Sequence, residues 1–321
     1  MLAHGYSTAC CGLCGGFHDS VAEFFPRHVG SRRFCTAPPL LFPDVMTFLE
    51  LKKALADRFS QAGFEAADLE AHYIVCEASG IPDREFALHA HEETPSGVQA
   101  RAESFLMRRL ANEPWQYIFG HAPFRDLELA VGPGCLIPRP ETEYSIDLML
   151  DGLPRGASVC ELGAGSGAIS LALASERPDI TVVGIELSPD ALKWAELNLK
   201  KFALPNVTFL HGDLFAPVAE RRFDLIAANL PYIPEHDREN LPPNVRDFEP
   251  AEALFGGVDG LDVIARALEQ SPSFLTPDGR IFFELDPCNA DRAFELASKF
   301  LHAPALLRDQ YGAVRFLTAK K

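Results

Sequence analysis

The sequence predicts an α/β fold, a doubly wound parallel sheet preceded by a small helical domain, and three observations carry that prediction. From residue 158 onward, short apolar runs rich in β-branched residues alternate with amphipathic helical segments. The first of these runs feeds directly into a glycine-rich turn, Gly163-Ala164-Gly165-Ser166-Gly167, the join between strand and helix that lets a backbone approach a nucleotide-like ligand. Upstream, from about residue 48 to residue 111, the apolar residues recur at helical spacing.

The elements follow in chain order. Phe48, Leu49, Leu51, Leu55 and Phe59 mark a first helix that Gly63 stops; residues 67–78, with Leu69, Tyr73, Ile74 and Cys76, mark a second; residues 96–111 mark a third, with Pro114 beyond its end. Residues 115–137 change texture to aromatic and β-branched residues punctuated by Gly120, Gly132 and Gly134, which reads as a short β-hairpin linker. Strands are expected at 158–162, 181–186, 207–210, 223–228 and 280–285. Helices are expected at 167–175, 189–202, near 261–270 and near 290–301, with a closing strand pair around 305–318. The resulting division is a leader at 1–45, a helical domain at 46–114, the hairpin at 115–137 and the sheet domain at 138–321.

With 321 residues, 47% hydrophobic and 23% charged, the chain is long enough for two cores. No apolar run approaches the length of a membrane span. A formal net charge of −16 argues against a surface that embraces bare nucleic acid, since phosphate contacts need clustered Lys and Arg. Arg101, Arg108 and Arg109 lie at helical spacing and read as a solvated face. Of the eight cysteines, Cys76, Cys135, Cys160 and Cys288 are scattered and read as thiols of a reducing compartment. Cys10, Cys11, Cys14 and Cys35 crowd the leader, where Cys11, Cys14, His18 and Cys35 could supply four zinc ligands. A lone CxxC is weak support for that, so no metal is expected. His72, His89 and His91 lack partners at ligand spacing and read as surface or satisfied core residues. The leader lacks a sustained period, a basic n-region and a long apolar stretch, and reads as disordered or non-native, with Met46 as the start ahead of the first helix.

Ligands of doubly wound sheets bind at the carboxyl ends of the strands, where the distinctive residues fall. Gly163-x-Gly165-x-x-Ala168, with Glu186 ending the next strand to accept ribose hydroxyls, fits either a dinucleotide or S-adenosylmethionine. Two features favour S-adenosylmethionine: Glu161 at the head of the loop, and Gly212-Asp213-Leu214-Phe215 after the third strand, where Asp213 could accept from an adenine amino group. Asp213 also reads as a helix cap or turn residue.

Behind the strand at 223–228 stands Asn229-Leu230-Pro231-Tyr232. Alone, the tetrapeptide also reads as a proline-punctuated loop. Following a glycine loop, it offers what methylation of a planar NH2 group requires. The nitrogen lone pair is delocalised, so the site must accept both N–H hydrogens and hold the flat group still. Asn supplies a side-chain acceptor, Leu230 a backbone carbonyl, Pro a fixed φ and Tyr a ring face.

From residue 46 to the C-terminus the sequence resembles the glutamine N5-methyltransferases that modify peptide-chain release factors at the Gln of their Gly-Gly-Gln motif. The resemblance rests on Glu113-Pro114-Trp115-Gln116-Tyr117-Ile118-Phe119-Gly120, on Leu136-Ile137-Pro138-Arg139-Pro140-Glu141-Thr142-Glu143, on the glycine loop, and on Val245-Arg246-Asp247-Phe248-Glu249-Pro250 with Gly256-Gly257-x-x-Gly260-Leu261. It implies a helical substrate-docking domain joined to a Rossmann-like, seven-stranded S-adenosylmethionine-dependent methyltransferase domain whose last strand is antiparallel. Gly163, Ala164, Gly165, Ser166, Gly167, Glu186, Leu214 and Asn229 would then contact the cofactor, and Asn229, Leu230, Pro231 and Tyr232 the glutamine. Arg139 and Glu141 would shape the cleft edge or form a structural ion pair. The partners implied are class I peptide-chain release factors, met by a cytoplasmic monomer without membrane or direct nucleic-acid binding.

Leu230 departs from the family's usual Asn-Pro-Pro-Tyr. Asn-Leu-Pro-Tyr also resembles the motif of ribosomal RNA adenine dimethyltransferases, which makes RNA adenine N6-methylation the alternative activity. A non-catalytic binding module in the same fold is a third reading. The acidic charge and the N-terminal position of the accessory helices count against an RNA substrate.

Overall fold

The computed structural model describes residues 43 and 45–321, and the leader, with its Cys/His zinc reading, lies outside the described residues. Five helices open the described chain: Phe48–Gln61, Ala67–Ser79, the single turn Phe86–His89, Ser96–Leu110 and Trp115–Phe119. Thr47 and Glu50 form a reciprocal capping box that starts the first. Phe48, Leu51, Leu55 and Phe59 are buried on its inner face, which packs against the helices Ala67–Ser79 and Ser96–Leu110.

Residues 115–119 are helical, which corrects the expectation of a hairpin across the whole of 115–137. Pro114 fixes the entry and Gly120, at φ 82, ends the helix in the left-handed conformation. Tyr117 and Ile118 are buried. Arg108 donates to their two carbonyls, at 2.8 and 2.9 Å, at the end of this helix. The hairpin itself is β1, His121–Phe124, and β2, Leu127–Ala130.

Arg108 and Arg109 are not a solvated face. Arg108 also grips Glu113, while Arg109 makes a bidentate pair with Glu70 at 2.8 and 3.1 Å, and both side chains are partly buried. Arg101 donates to the carbonyl of Ala78. His72 pairs with Asp83 and His89 with Glu92, and among the described residues no His/Cys/Asp/Glu group is arranged to hold a metal.

Among the described residues, the main sheet has seven strands: β3 (Ser158–Leu162), β4 (Thr181–Glu186), β5 (Val207–His211), β6 (Phe223–Ala228), β7 (Leu275–Glu284), β8 (His302–Arg308) and β9 (Val314–Lys320). Their spatial order is β5-β4-β3-β6-β7-β9-β8. Pairings from β5 to β7 are parallel, and β9 runs antiparallel between β7 and β8. Two apolar clusters cover the two faces of the sheet, so its strands read as continuous hydrophobic runs. The switch point falls between β3 and β4 on one side and β6 on the other, and there the cleft opens.

Helix Pro140–Leu150 has no counterpart in the sequence reading. Pro140 occupies its first turn, where a missing N–H costs nothing. Among the described residues no helix is long and apolar enough to cross a membrane.

Candidate functional site

A cavity of about 340 Å³ lies at the carboxyl ends of β3, β4, β5 and β6. Its floor is the turn between β3 and the helix Ala168–Glu176, in which Gly163, Gly165 and Gly167 all take positive φ. A Cβ at Gly163 would come within 3.2 Å of Leu230 Cδ2, and one at Gly167 within 2.6 Å of Phe209 Cζ. Ala164, Ser166 and Leu214 line the same cavity.

The two buried carboxylates of the cavity do different work. Glu186, at the end of β4, accepts from Gly165 N at 2.7 Å and from Ser188 N at 2.8 Å, so it holds the glycine turn in place before any ligand arrives. Each of its oxygens keeps a second lone pair for a hydroxyl donor. Burial raises its pKa, against the pull of these backbone N–H groups. Glu161 accepts from Ser170 N at 2.9 Å and from Ser170 Oγ, capping the first turn of the helix that follows the loop. Burial pushes its carboxyl up to about 8. Asp213 sits at the cavity edge with its carboxylate paired to Arg266, which also lines the cavity.

Asn229, Leu230 and Pro231 form the opposite wall, and Tyr232 opens onto an adjoining cavity of about 200 Å³ that shares Asn229, Leu136 and Arg139 with the first. The Asn229 Nδ2 donates to Thr142 Oγ1 at 3.0 Å, Thr142 Oγ1 donates to Glu284 Oε2 at 2.7 Å, and Tyr232 OH donates to Glu284 Oε1 at 3.3 Å. Among the described residues no donor is bonded to Asn229 Oδ1 or to the Leu230 carbonyl. Leu230 turns its side chain into the core, where it is buried.

The tetrapeptide is braced from behind by glycines. A Cβ at Gly256 would lie 2.3 Å from Pro231 O, and one at Gly260 2.2 Å from Tyr232 O. Only glycine lets that loop lie flat against the Pro231 and Tyr232 backbone. Asn289 Nδ2 completes the brace, donating to Tyr232 O at 3.1 Å.

The stretches containing Arg139 and Glu249 meet at the cleft rim. Glu249, buried, accepts from Arg139 at 2.6 Å and from Ile137 N at 3.1 Å. The ion pair of Arg139 is therefore with Glu249.

Comparison with known proteins gives the same assignment. Residues 153–297 match a family model described as a methyltransferase domain, and residues 50–120 one described as a PrmC N-terminal domain. A release factor glutamine methyltransferase of Geobacter sulfurreducens is 36% identical over 80% of this chain and 90% of its own length. One from Bifidobacterium longum is 35% identical over 85% of this chain and 99% of its own length. The chain belongs to the release factor glutamine methyltransferases. A third member, from Vibrio cholerae, is 37% identical over 72% of this chain and 82% of its own length.

In this release factor glutamine methyltransferase, Gly163, Ala164, Gly165, Ser166, Glu186, Asp213, Leu214 and the tetrapeptide all border the two joined cavities, whereas Gly167 lines neither. Thr142 and Glu284 are not among the residues to which the sequence points. Thr142 sits inside one of the stretches carrying the family resemblance, and a buried Glu ending an apolar strand, Phe282-Phe283-Glu284, is the signal that marks the second.

Proposed function

We propose that this chain transfers a methyl group from S-adenosylmethionine to the side-chain amide nitrogen of the glutamine in the Gly-Gly-Gln motif of class I release factors. The observation that carries the reading is the pair of acceptors, Asn229 Oδ1 and the Leu230 carbonyl, on the wall shared with the glycine-floored cavity. The residues present suit the cofactor. The cavity falls within the range of small-ligand sites, the glycine turn admits close backbone approach, and Glu186 has lone pairs left for ribose hydroxyls. Gly163, Ala164, Gly165, Ser166, Glu186, Leu214 and Asn229, which line the cavity, would hold it, with Gly167 closing the turn and Glu161 supporting it from below. Asp213, whose Oδ2 is paired with Arg266 at the cavity edge, would accept from the adenine amino group on its other oxygen.

When bound, S-adenosylmethionine supplies an electrophilic methyl group. The protein's contribution is orientation and exclusion of water. Asn229 Oδ1 and the Leu230 carbonyl accept the two amide hydrogens, turning the nitrogen lone pair toward the cavity. Tyr232, its hydroxyl tied to Glu284, packs against the amide plane. The methylated nitrogen is strongly acidic while it carries positive charge and releases its proton to water, so no general base is needed. The same acceptors serve with Leu at position 230, because the group used is the backbone carbonyl.

The helical segment 46–114 is assigned to docking the release factor, with the hairpin joining it to the methyltransferase segment. The protein acts as a monomer in the cytoplasm, where its substrate works. The test is mass spectrometry of a purified release factor after incubation with the protein and S-adenosylmethionine. One methyl group on the Gly-Gly-Gln glutamine is expected. Methylated ribosomal RNA with an unmodified release factor refutes the reading.

A further inference from the structure

Asn has an amide whose two ends are nearly the same shape, and only one of them serves the proposed reaction. With Oδ1 toward the acceptor, Asn229 receives an N–H; turned over, it would present Nδ2 hydrogens to a group that is itself a donor. Something must decide the orientation. The contact on the other end of the amide is Thr142 Oγ1, at 3.0 Å from Nδ2. A hydroxyl alone decides nothing, since it can accept from Nδ2 or rotate and donate to Oδ1. Glu284 breaks that symmetry. As a carboxylate it is acceptor-only, and it takes the Thr142 hydroxyl hydrogen at 2.7 Å, leaving Oγ1 only lone pairs to offer Asn229.

We propose that Thr142 and Glu284 are positioning residues for methyl transfer, Glu284 fixing the direction of the Thr142 hydroxyl and through it the end of the Asn229 amide that faces the acceptor. The inference rests on the reading that Asn229 Oδ1 accepts an N–H of the glutamine.

Three elements converge to make the relay: Thr142 in the first turn of Pro140–Leu150, Asn229 one residue past β6, and Glu284 closing β7 beside it. Thr142 and Glu284 are both nearly inaccessible, at 4% and 3% exposure, so water does not compete for their bonds. The second oxygen of Glu284 receives Tyr232 OH, so one carboxylate orients both the acceptor side chain and the ring of the tetrapeptide. The titratable and charged groups around Glu284 are Glu141 beside Thr142, Tyr232 after β6 and Arg315 on β9. Burial raises the Glu284 carboxyl to about 7, opposed by the Thr142 hydrogen bond and by Arg315. Once protonated, Glu284 can donate to Thr142, the hydroxyl is released toward Asn229, and the bias disappears. Turnover should therefore fall on the acid side as Glu284 takes up its proton.

The experiment uses the full chain with a purified release factor as methyl acceptor, measuring kcat, KM, S-adenosylmethionine affinity and the pH profile. Thr142→Val should lose on the order of 100-fold in kcat, the scale of one preorganised active-site hydrogen bond, while cofactor affinity and KM, to which Asn229 is one contact among several, change far less. Thr142→Ser, which keeps the hydroxyl, should recover most of that loss. Glu284→Gln, which can donate as well as accept, should turn over more slowly and lose the acidic limb of the wild-type profile. A Thr142→Val enzyme with wild-type kcat overturns the proposal. So does one whose cofactor affinity falls in step with its kcat, and so does a Glu284→Gln enzyme that retains the limb. A wild-type protein that leaves the glutamine unmodified overturns the function itself and the positioning role with it.

Discussion

Gly260→Ala places a methyl group where the backbone of the tetrapeptide already lies. The added Cβ would stand 2.2 Å from Tyr232 O, 3.0 Å from Tyr232 C and 2.8 Å from Asn289 Nδ2. Restoring ordinary contact requires a displacement of roughly 1 Å. The rigid carbonyl cannot swing aside as the end of a long side chain could, so Tyr232 moves and its bond from Asn289 at 3.1 Å is lost. Residue 260 also holds φ 74, which costs an L-residue about 1–2 kcal/mol, and the broken hydrogen bond adds about 1 kcal/mol. A fall in Tm of several degrees follows. A misplacement of about 1 Å at reacting groups can cost on the order of 100-fold in rate, so kcat should drop by that order while calorimetric affinity for S-adenosylmethionine stays near wild type. Gly97→Ala is the matched control: no atom lies within 4 Å of its Cβ and it sits in the helix Ser96–Leu110, so it should raise stability by about 0.5–1 kcal/mol without touching turnover. A Gly260→Ala enzyme with normal kcat would show that the glycine brace does not position Tyr232.

Other consequences can be measured independently. Glu186→Ala removes a charge-assisted acceptor together with the anchor of Gly165 N and should weaken S-adenosylmethionine binding by about 1.5–3 kcal/mol; unchanged affinity by calorimetry would remove Glu186 from the cofactor site. Glu249→Ala leaves the Arg139 guanidinium and Ile137 N without their acceptor and should cost about 2–4 kcal/mol of stability in a denaturant titration. The pH dependence of stability has a definite sign. With its carboxyl lifted to about 8, Glu161 keeps a proton in the folded chain at pH values where the unfolded chain has lost it. Its contribution to stability therefore falls as pH rises from the ordinary carboxylate range to about 8, and is flat above that. Glu161→Gln should flatten part of the decline in Tm across that window, the remainder belonging to Glu284 and Glu186, whose carboxyls burial also raises, and an unchanged slope would contradict the assignment.

The sequence made the parallel core legible because its strands are short, apolar and separated by helices, and because glycine at 163, 165 and 167 has few uses other than a tight turn between strand and helix. Tyr232 and Asn229 were legible because an amide acceptor and a ring following a strand have recognisable chemistry. The helix at 140–150 was hidden because its proline reads as a breaker until its position in the first turn is known. Trp115–Phe119 was hidden because aromatic residues favour strands, and what overrides them is the Arg108 guanidinium at the helix end, which lies outside the segment. Thr142 and Glu284 were not legible as a pair at all, since nothing local to either residue points to the other. Arg108 and Arg109 had the spacing of an exposed face, and their acceptors on other turns of the chain decide otherwise.

The two sides of the cleft differ in the span of chain that must be gathered to make them. On the cofactor side the ties are shorter: Glu161 reaches Ser170 across nine residues, Gly165 reaches Glu186 across 21 and Asp213 reaches Arg266 across 53. On the acceptor side Arg139 reaches Glu249 across 110 residues and Thr142 reaches Glu284 across 142. Closing a long loop costs entropy before its contact repays it, and contacts of large sequence separation form slowly. The glycine turn and its Glu186 anchor therefore need only a short stretch of chain, whereas the Asp213–Arg266 edge and the wall at Asn229 draw on residues further along. The acceptor wall is complete only with β7 in place beside β6, because the carboxylate that ties Thr142 and Tyr232 together closes that strand.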